Sequence, residues 1–100
     1  MPEPIPSKKF TWDLEAFRTN KPIRKKIAKA LAALQDNPRY PGLRLERIVN
    51  DATAWSVRID RKYRISFDPG DHLPSGTPDW SAPVTLLRVL DHDDLYKFPR

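Results

Sequence analysis

The spacing of apolar residues changes partway along this chain of 100 residues, and the change restricts which folds it can adopt. Between residues 22 and 36, apolar side chains recur every three or four positions, as on the buried face of an amphipathic helix. After Tyr40-Pro41-Gly42 they alternate with polar residues, as in strands that bury one face. The sequence therefore predicts an α+β protein with its helices ahead of its sheet.

Two helices and four main strands are predicted. The longer helix runs from about Pro22 to Asp36, because the residue before Pro38 resists helical geometry, and a shorter helix covers residues 12–19. We expect both helices to pack on one face of a four- to five-stranded, mainly antiparallel sheet and to leave its other face open. Strands are expected at residues 43–50, 55–59, 63–67 and 84–90, with residues 8–11 as a candidate N-terminal strand.

The chain is long enough for a single domain over residues 1–100 and too short for a second one. Residues 1–7 are punctuated by proline and are predicted to be a flexible N-terminus. Residues 69–83 contain four prolines and two glycines, which predicts a long loop. Within residues 43–50, Leu43 and Leu45 have one parity and Ile48 has the other, which predicts a bulge or a break in register.

Composition excludes several classes of protein. Without cysteine the chain has no disulfide, no thiolate zinc site and no cysteine nucleophile, and its two histidines, His72 and His92, are far apart in sequence. The longest apolar run, Ala30 to Leu34, is much shorter than the roughly 20 residues of a membrane helix. The N-terminus lacks the apolar segment of a secretory signal. We therefore expect a cytoplasmic protein without a metal, a cofactor or a membrane contact.

Basic residues outnumber acidic ones by 18 to 13, which gives a formal charge of +5. A charge of this sign favours a polyanion or an acidic protein as partner, and it predicts binding that weakens as salt is added. The densest basic segment, residues 21–29, contains no acidic residue. This segment is therefore a candidate surface for RNA or for an acidic protein.

Arginine side chains are predicted to meet across the hairpin of the second and third strands. A turn centred on Arg61 places Arg58 directly opposite Arg64, an arrangement that costs about 0.2 to 1 kcal/mol unless something compensates the repulsion. A bound anion would do so, because the guanidinium fork matches phosphate oxygens. By parity Arg88 can join the same face as a third arginine. Alternatively, these side chains extend into solvent and pair with acidic neighbours.

Four segments of the chain resemble the RelE/ParE superfamily of bacterial toxins: Pro41–Ile48, Trp55–Asp60, Tyr63–Phe67 and Leu87–Tyr96. The resemblance spans about residues 8–98 and implies the toxin of a type II toxin–antitoxin system. RelE, YoeB and YafQ types are endoribonucleases that cut messenger RNA on the ribosome without a metal, through attack of a 2′-hydroxyl on the adjacent phosphate. The implied partners are a cognate antitoxin, messenger RNA and the ribosome, with operator DNA bound only through the antitoxin complex.

The resemblance also implies roles for individual residues. Arg58 and Arg64 correspond to basic residues of the central strands, Glu46 is similar to the glutamate base of the YoeB type, His92 to the terminal histidine of the YafQ type, and Tyr96 to the tyrosine of the RelE type. A carboxylate can accept the 2′-hydroxyl proton, and an imidazole with a pKa of about 6.5 can return a proton to the leaving oxygen. Further basic residues are predicted to bind RNA phosphates: Arg44, Arg47, Arg61, Lys62 and Arg88.

Other interpretations of the same residues stay open. Glu46 also fits an exposed strand residue, His92 a charge-paired turn residue, and Tyr96 an anchor for the C-terminal segment. The acidic turn at residues 91–94 and the long loop at residues 69–83 depart from the family pattern. The alternative functions are a ParE-like inhibitor of DNA gyrase, which needs no acid or base, and a catalytically weak co-repressor that binds its antitoxin.

Overall fold

The computed structural model describes residues 2–100, which form three α-helices and one five-stranded sheet. The elements in chain order are β1 (Pro4–Pro6), α1 (Lys8–Glu15), α2 (Lys21–Asp36), β2 (Glu46–Arg47), β3 (Trp55–Arg58), β4 (Tyr63–Pro69), β5 (Val84–Asp91) and α3 (His92–Lys97). The strands lie in the order β1-β5-β4-β3-β2, and all neighbours are antiparallel except β1 and β5. This confirms the predicted α+β class and the mainly antiparallel sheet.

Both N-terminal helices begin at polar caps. The Ser7 hydroxyl accepts a hydrogen bond from the amide of Phe10 at the start of α1, and the Asn20 side chain accepts one from the amide of Ile23 at the start of α2. The second helix matches its prediction to within one residue. The first begins four residues earlier than predicted, so the candidate strand at residues 8–11 is wrong, because the Ser7 cap starts a helix there.

The N-terminal segment pairs with the sheet. Pro4–Pro6 runs parallel to β5, with Ile5 opposite Thr85, and the amide of Ser7 donates to the Leu86 carbonyl at 3.0 Å. Proline is tolerated here because an edge strand needs hydrogen bonds on one side only. Part of the segment predicted as a flexible N-terminus, residues 4–6, thus forms an edge strand, and residue 1 lies outside the described residues.

The main core lies between the two N-terminal helices and one face of the sheet, as predicted. A smaller cluster on the opposite face holds Leu95 of α3 against Ile48, Ala54 and Leu87. That face is therefore only partly open, and α3 is an element that the sequence analysis did not predict. The buried residues of the main core are Phe10, Ile23, Ile27, Ala30, Leu34, Leu43, Val57, Ile65, Phe67, Val84, Leu86 and Val89.

The predicted strand at residues 43–50 is mostly irregular. Only Glu46–Arg47 pairs with β3, while residues 41–43 form a 3₁₀ turn and Arg44 has a left-handed φ of 49°. The predicted break in parity is confirmed, since Leu43 lies in the main core and Ile48 in the smaller cluster. A bulge occurs elsewhere, between β4 and β5 at Ser66 and Phe67.

The segment between β4 and β5 is a long loop, as predicted, and it folds back on itself. The amide of Gly70 donates to the Pro83 carbonyl, and the amide of Leu73 donates to the Thr77 carbonyl at 2.8 Å. Gly76 sits at the tip with a φ of 90°, a conformation that favours glycine. Backbone hydrogen bonds between the two halves of the loop thus continue beyond the ends of β4 and β5.

Candidate active site

The hairpin of β3 and β4 places Arg58 directly opposite Arg64, as predicted. Their neighbours Val57 and Ile65 are buried in the main core, so alternation turns the two arginines to the other face of the sheet. We call Arg58 and Arg64 the arginine pair, and this side of the sheet the polar face. Two like charges therefore lie side by side at the turn end of the hairpin.

Asp60 at the hairpin turn holds both members of the arginine pair. Its backbone carbonyl accepts hydrogen bonds from Arg58 Nε at 3.2 Å and from Arg64 Nη1 at 2.5 Å. Its carboxylate accepts from the amides of Lys62 and Tyr63 at 2.8 Å each. Burial would raise the pKa of Asp60, but these amides and the Lys26 ammonium together lower it below its ordinary value. A shared neutral acceptor thus orients two cations and leaves their charge unneutralised.

Electrostatic coupling extends from the arginine pair to β2 and α3. Partial burial lowers the pKa of Arg64, and the neighbouring charge of Arg58 lowers it further, while Tyr96, Glu46 and Asp60 act in the opposite direction. Arginine nonetheless stays protonated at neutral pH. Three of the other four predicted catalytic residues, Arg58, Glu46 and Tyr96, are therefore close enough to influence the Arg64 guanidinium.

Glu46 and Tyr96 are hydrogen-bonded to each other. Glu46 lies on β2 opposite Ser56, and the Tyr96 hydroxyl on α3 donates to Glu46 Oε2 at 2.7 Å. The Ser56 hydroxyl lies 3.4 Å from the same phenol. Burial, together with the carboxylate of Glu46, raises the pKa of Tyr96, against opposing effects of Ser56 and Arg64. The phenol is thus a stable donor to the carboxylate.

His92 is the first residue of α3 and borders a cleft. Its ring meets the Tyr96 ring edge-on, with 4.7 Å between centroids, and its Nδ1 lies 3.3 Å from a carboxylate oxygen of Asp93. Its amide donates to the Lys62 carbonyl at 2.7 Å, which joins α3 to the hairpin turn. The open cleft measures about 590 Å³, and its lining residues are Arg61, Lys62, Arg64, Asp91, His92 and Asp93.

The acidic turn has a structural explanation. The Asp91 side chain caps α3 by accepting from the amide of Asp94 at 2.9 Å, and carboxylates near a helix N-terminus are favourable. Asp91 and Asp93 nevertheless border the cleft beside Arg64. The turn thus positions His92 and also brings negative charge to the same opening.

The prediction that Arg88 joins the arginine pair is wrong. Its guanidinium makes two hydrogen bonds, of 2.8 and 2.9 Å, to the Asp13 carboxylate on α1. That hydrogen bonding raises the pKa of Arg88. Arg88 still lies opposite Ser66 across the bulge between β4 and β5, so the ion pair with Asp13, and not the pairing register, keeps its guanidinium from the arginine pair.

The other predicted phosphate-binding residues separate into two groups. Arg61 and Lys62 are exposed at the hairpin turn and line the cleft with Arg64. Arg44 and Arg47 are exposed at the far edge of the sheet, where Arg47 pairs in register with Trp55 and donates to the Ala52 carbonyl. The structure thus brings Arg61 and Lys62 to the cleft, and neither Arg44 nor Arg47 lines it.

Several residues that organise the polar face are not predicted from the sequence. Asn50 Nδ2 donates to the Tyr96 carbonyl at 2.6 Å, and the Ser66 hydroxyl donates to the Pro99 carbonyl at 2.7 Å. Arg100 pairs with Asp51 and Asp68 at 2.8 Å each. Ser66 shares its alternation with Arg64 and could have been found from it, whereas the Arg100 contacts span 32 and 49 residues and have no local signal.

The part of the chain that the structure describes contains no group of three or more His, Asp or Glu side chains arranged to hold a metal ion. None of the helices within residues 2–100 is both long and apolar enough to cross a membrane.

Comparison with known proteins finds similarity in structure and not in sequence. No protein-family model matches the chain, and no curated protein matches it either. A solved structure of a YoeB/ParE toxin from Agrobacterium tumefaciens superposes with a TM-score of 0.68 and 17% sequence identity, covering 90% of this chain and 98% of the other. Together with the helix order and the sheet described above, this superposition shows that the chain shares the fold of that YoeB/ParE toxin.

Proposed function

We propose that this protein is the toxin of a type II toxin–antitoxin system and a metal-independent endoribonuclease that cleaves messenger RNA on the ribosome. The observation that carries the proposal is the arginine pair on the same face of the sheet as the hydrogen-bonded Glu46 and Tyr96. Paired cations and an adjacent carboxylate are the groups that cleavage of an RNA linkage needs when no metal takes part. His92, in contact with Tyr96, adds a group that can donate a proton.

In this proposal Glu46 accepts the proton of the RNA 2′-hydroxyl, and the freed oxygen attacks the adjacent phosphorus. The bond from phosphorus to the 5′-oxygen then breaks, and protonated His92 supplies a proton to that leaving oxygen. The products are a 2′,3′-cyclic phosphate and a 5′-hydroxyl. Arg58 and Arg64 stabilise the negative charge that builds on the phosphoryl oxygens, because their charge is held by a carbonyl and not by a carboxylate.

Tyr96 is the group that links the proposed base to the proposed acid. Its hydroxyl donates to Glu46 while its ring contacts His92, so a single side chain fixes the orientation of both. A phenol is protonated at neutral pH even at its ordinary pKa, and the raised pKa of Tyr96 acts in the same direction, as a donor to a carboxylate requires. We therefore assign Tyr96 a role in positioning Glu46 and His92, in addition to any contact with an RNA nucleobase.

The proposed partners are messenger RNA and an antitoxin, and the net positive charge of the chain supports both. An excess of basic residues suits translated messenger RNA in the cytoplasm, and it also suits an antitoxin with acidic segments that neutralises the toxin. Operator DNA would be bound only through the antitoxin. The salt dependence of binding to programmed ribosomes is then expected to be steep.

The proposal is tested by expression of Arg58→Ala, Arg64→Ala and His92→Gln in growing cells, with 5′ ends of transcripts mapped after induction. Each variant is expected to relieve both growth arrest and transcript cleavage. Arg18→Ala is the matched control, because Arg18 is exposed beside the helices and away from the polar face. Undiminished toxicity in all three variants would contradict the catalytic roles.

A second candidate function is inhibition of DNA gyrase without cleavage of RNA. Asp91 and Asp93 favour it, because they bring negative charge to the cleft beside Arg64, where an RNA phosphate would be repelled. A catalytically weak co-repressor is supported by the same charges. Cleaved DNA with intact messenger RNA after induction would favour the gyrase inhibitor, and tighter binding of antitoxin to operator DNA without growth arrest would favour the co-repressor.

A further inference from the structure

A second groove, of about 330 Å³, lies between α2 and the 3₁₀ turn at residues 41–43. Its walls include the small side chains Ala30 and Ala33 of α2 and the buried Leu43 of the turn. We call this cavity the α2 groove. It is distinct from the cleft beside His92, with which it shares no lining residue.

Tyr40 forms an aromatic wall of the α2 groove. The residue is 52% exposed, although its ring packs against Gly42 so closely that a β-carbon there would lie 2.5 Å from Tyr40 Cε2. Glycine at position 42 therefore permits this close approach of the ring to the turn. An open aromatic surface beside small aliphatic side chains is a suitable platform for stacking a nucleobase.

The charge of the α2 groove is positive. Lys26, Lys29 and Arg58 contribute to its lining, and no carboxylate does so among the residues that the structure describes. Lys26 also pairs with Asp60, the residue whose carbonyl orients the arginine pair. The groove is thus continuous through Arg58 with the cations that we assign to the cleaved linkage.

We propose that the α2 groove binds the nucleotide next to the cleaved linkage, with its base stacked on Tyr40 and its phosphate near Lys29. This inference rests on the proposed ribonuclease function. Arg58 belongs to the arginine pair and also lines the groove, so the groove adjoins the position of an RNA strand held by that pair. The open aromatic ring favours RNA over an acidic peptide as the occupant, because a peptide carboxylate would use only the cations.

The proposal is tested with a short single-stranded RNA that carries a 2′-O-methyl group at the cleavage position, so that it binds without being cut. Affinity is measured for the free RNA and for ribosomes programmed with it. Tyr40→Ala is expected to weaken binding about tenfold, whereas Tyr40→Phe keeps the ring and the affinity. Trp12→Ala is the matched control, because Trp12 is a 73% exposed aromatic residue on α1, outside the groove.

Two further variants keep the test independent of the loss of the Tyr40 ring. Gly42→Ala displaces the ring without removing it and is expected to weaken binding as Tyr40→Ala does. Lys29→Ser is expected to weaken binding and to reduce its salt dependence, whereas Lys25→Ser, on the same helix but outside the groove, has a smaller effect. Bound RNA is also expected to shift the NMR signals of the Gly42 amide and of the Ala30 and Ala33 methyl groups.

The outcomes separate this inference from the proposed function. Cleavage and binding by the wild type, with Tyr40→Ala no weaker than Trp12→Ala, would overturn the α2 groove as a nucleotide site and leave the ribonuclease in place. A wild type that binds neither the free RNA nor the programmed ribosome would overturn both. Shifts at Gly42 with polyglutamate and none with RNA would overturn the inference in favour of an acidic peptide.

Discussion

Three arginines on neighbouring strands of this sheet have two different environments. Arg88 is held by both oxygens of the Asp13 carboxylate, and the two side chains are only 18% and 9% exposed. Arg58 and Arg64 share one backbone carbonyl, that of Asp60. A carboxylate cancels the positive charge of its partner, whereas a carbonyl only orients it.

The comparison distinguishes a structural arginine from one that is available to an anion. Asp13 also accepts from the amide of Val89 at 3.0 Å, so it links α1 to the irregular part of β5. Removal of Asp13 is therefore expected to affect stability. Removal of a member of the arginine pair is expected to affect binding and chemistry, since its charge is free to act on a substrate.

The largest expected effect is that of Arg64→Ala on cleavage. We expect a rate about 10²- to 10³-fold lower, because a cation aimed at the reacting phosphate acts most strongly in the transition state. The free energy of unfolding is expected to change by less than about 1 kcal/mol, since the substitution also relieves repulsion from Arg58. Single-turnover cleavage and denaturant unfolding measure the two quantities. A large loss of stability with an unchanged cleavage rate would show that Arg64 is a structural arginine and does not act on the substrate.

Asp13→Ala is expected to have the opposite pattern. Leaving the guanidinium of Arg88 without its partner is expected to lower the free energy of unfolding by about 3 kcal/mol, because both side chains are largely buried. The cleavage rate per folded molecule is expected to stay unchanged. Glu15→Ala, at an exposed position of the same helix, is the control and should change stability by less than about 0.5 kcal/mol. Equal effects of the two substitutions would show that the Arg88 pair contributes little.

Tyr96→Phe sharpens the comparison on the polar face. The substitution keeps the ring contact with His92 and removes the donor to Glu46. We expect a rate about tenfold lower, which corresponds to the loss of one hydrogen bond to a charged group. Rates of Tyr96→Phe and Tyr96→Ala are to be compared under the same conditions. If only the alanine variant loses activity, Tyr96 serves as packing and does not position Glu46.

The smallest expected effect concerns the turn that supports the arginine pair. Asp60 has a pKa below its ordinary value of 3.8 in the folded state, so its carboxylate stabilises the fold at neutral pH, and this contribution is lost as the pH falls through the folded-state pKa. Asp60→Asn keeps an oxygen for the turn amides and removes the charge. The variant is expected to be less stable than the wild type at pH 7 and to match it in acid well below pH 3.8.

Urea unfolding at the two pH values measures this difference, with Asp36→Asn at the exposed end of α2 as control. A stability difference between wild type and Asp60→Asn that is the same at both pH values would contradict a role for the Asp60 charge.

The sequence was sufficient to predict the parts of the site that depend on local spacing. The register of Arg58 with Arg64 follows from a regular alternation on both sides of a short turn. The long helix follows from its apolar stripe, its early proline and the Asn37-Pro38 boundary. Each of these signals lies within a few residues of the feature that it predicts.

Features that depend on distant contacts were not predictable in this way. The partner of Arg88 lies 75 residues away in sequence, and the bulge between β4 and β5 leaves no pattern of its own. The last helix has only six residues, too few for a periodic stripe, so its acidic cap was interpreted as a turn. The parallel pairing of Pro4–Pro6 also depends on a strand 80 residues later, which local proline content cannot reveal.

The central claim is that the polar face of the sheet cleaves RNA by 2′-hydroxyl attack, and the ends of the RNA products test it most directly. Purified protein is incubated with ribosomes translating a defined messenger RNA, and the termini of each fragment are determined. The account predicts a 2′,3′-cyclic phosphate and a 5′-hydroxyl, with cleavage abolished by a 2′-O-methyl group at the cleaved nucleotide. Intact RNA, or cleavage that persists with the 2′-O-methyl group, would contradict it.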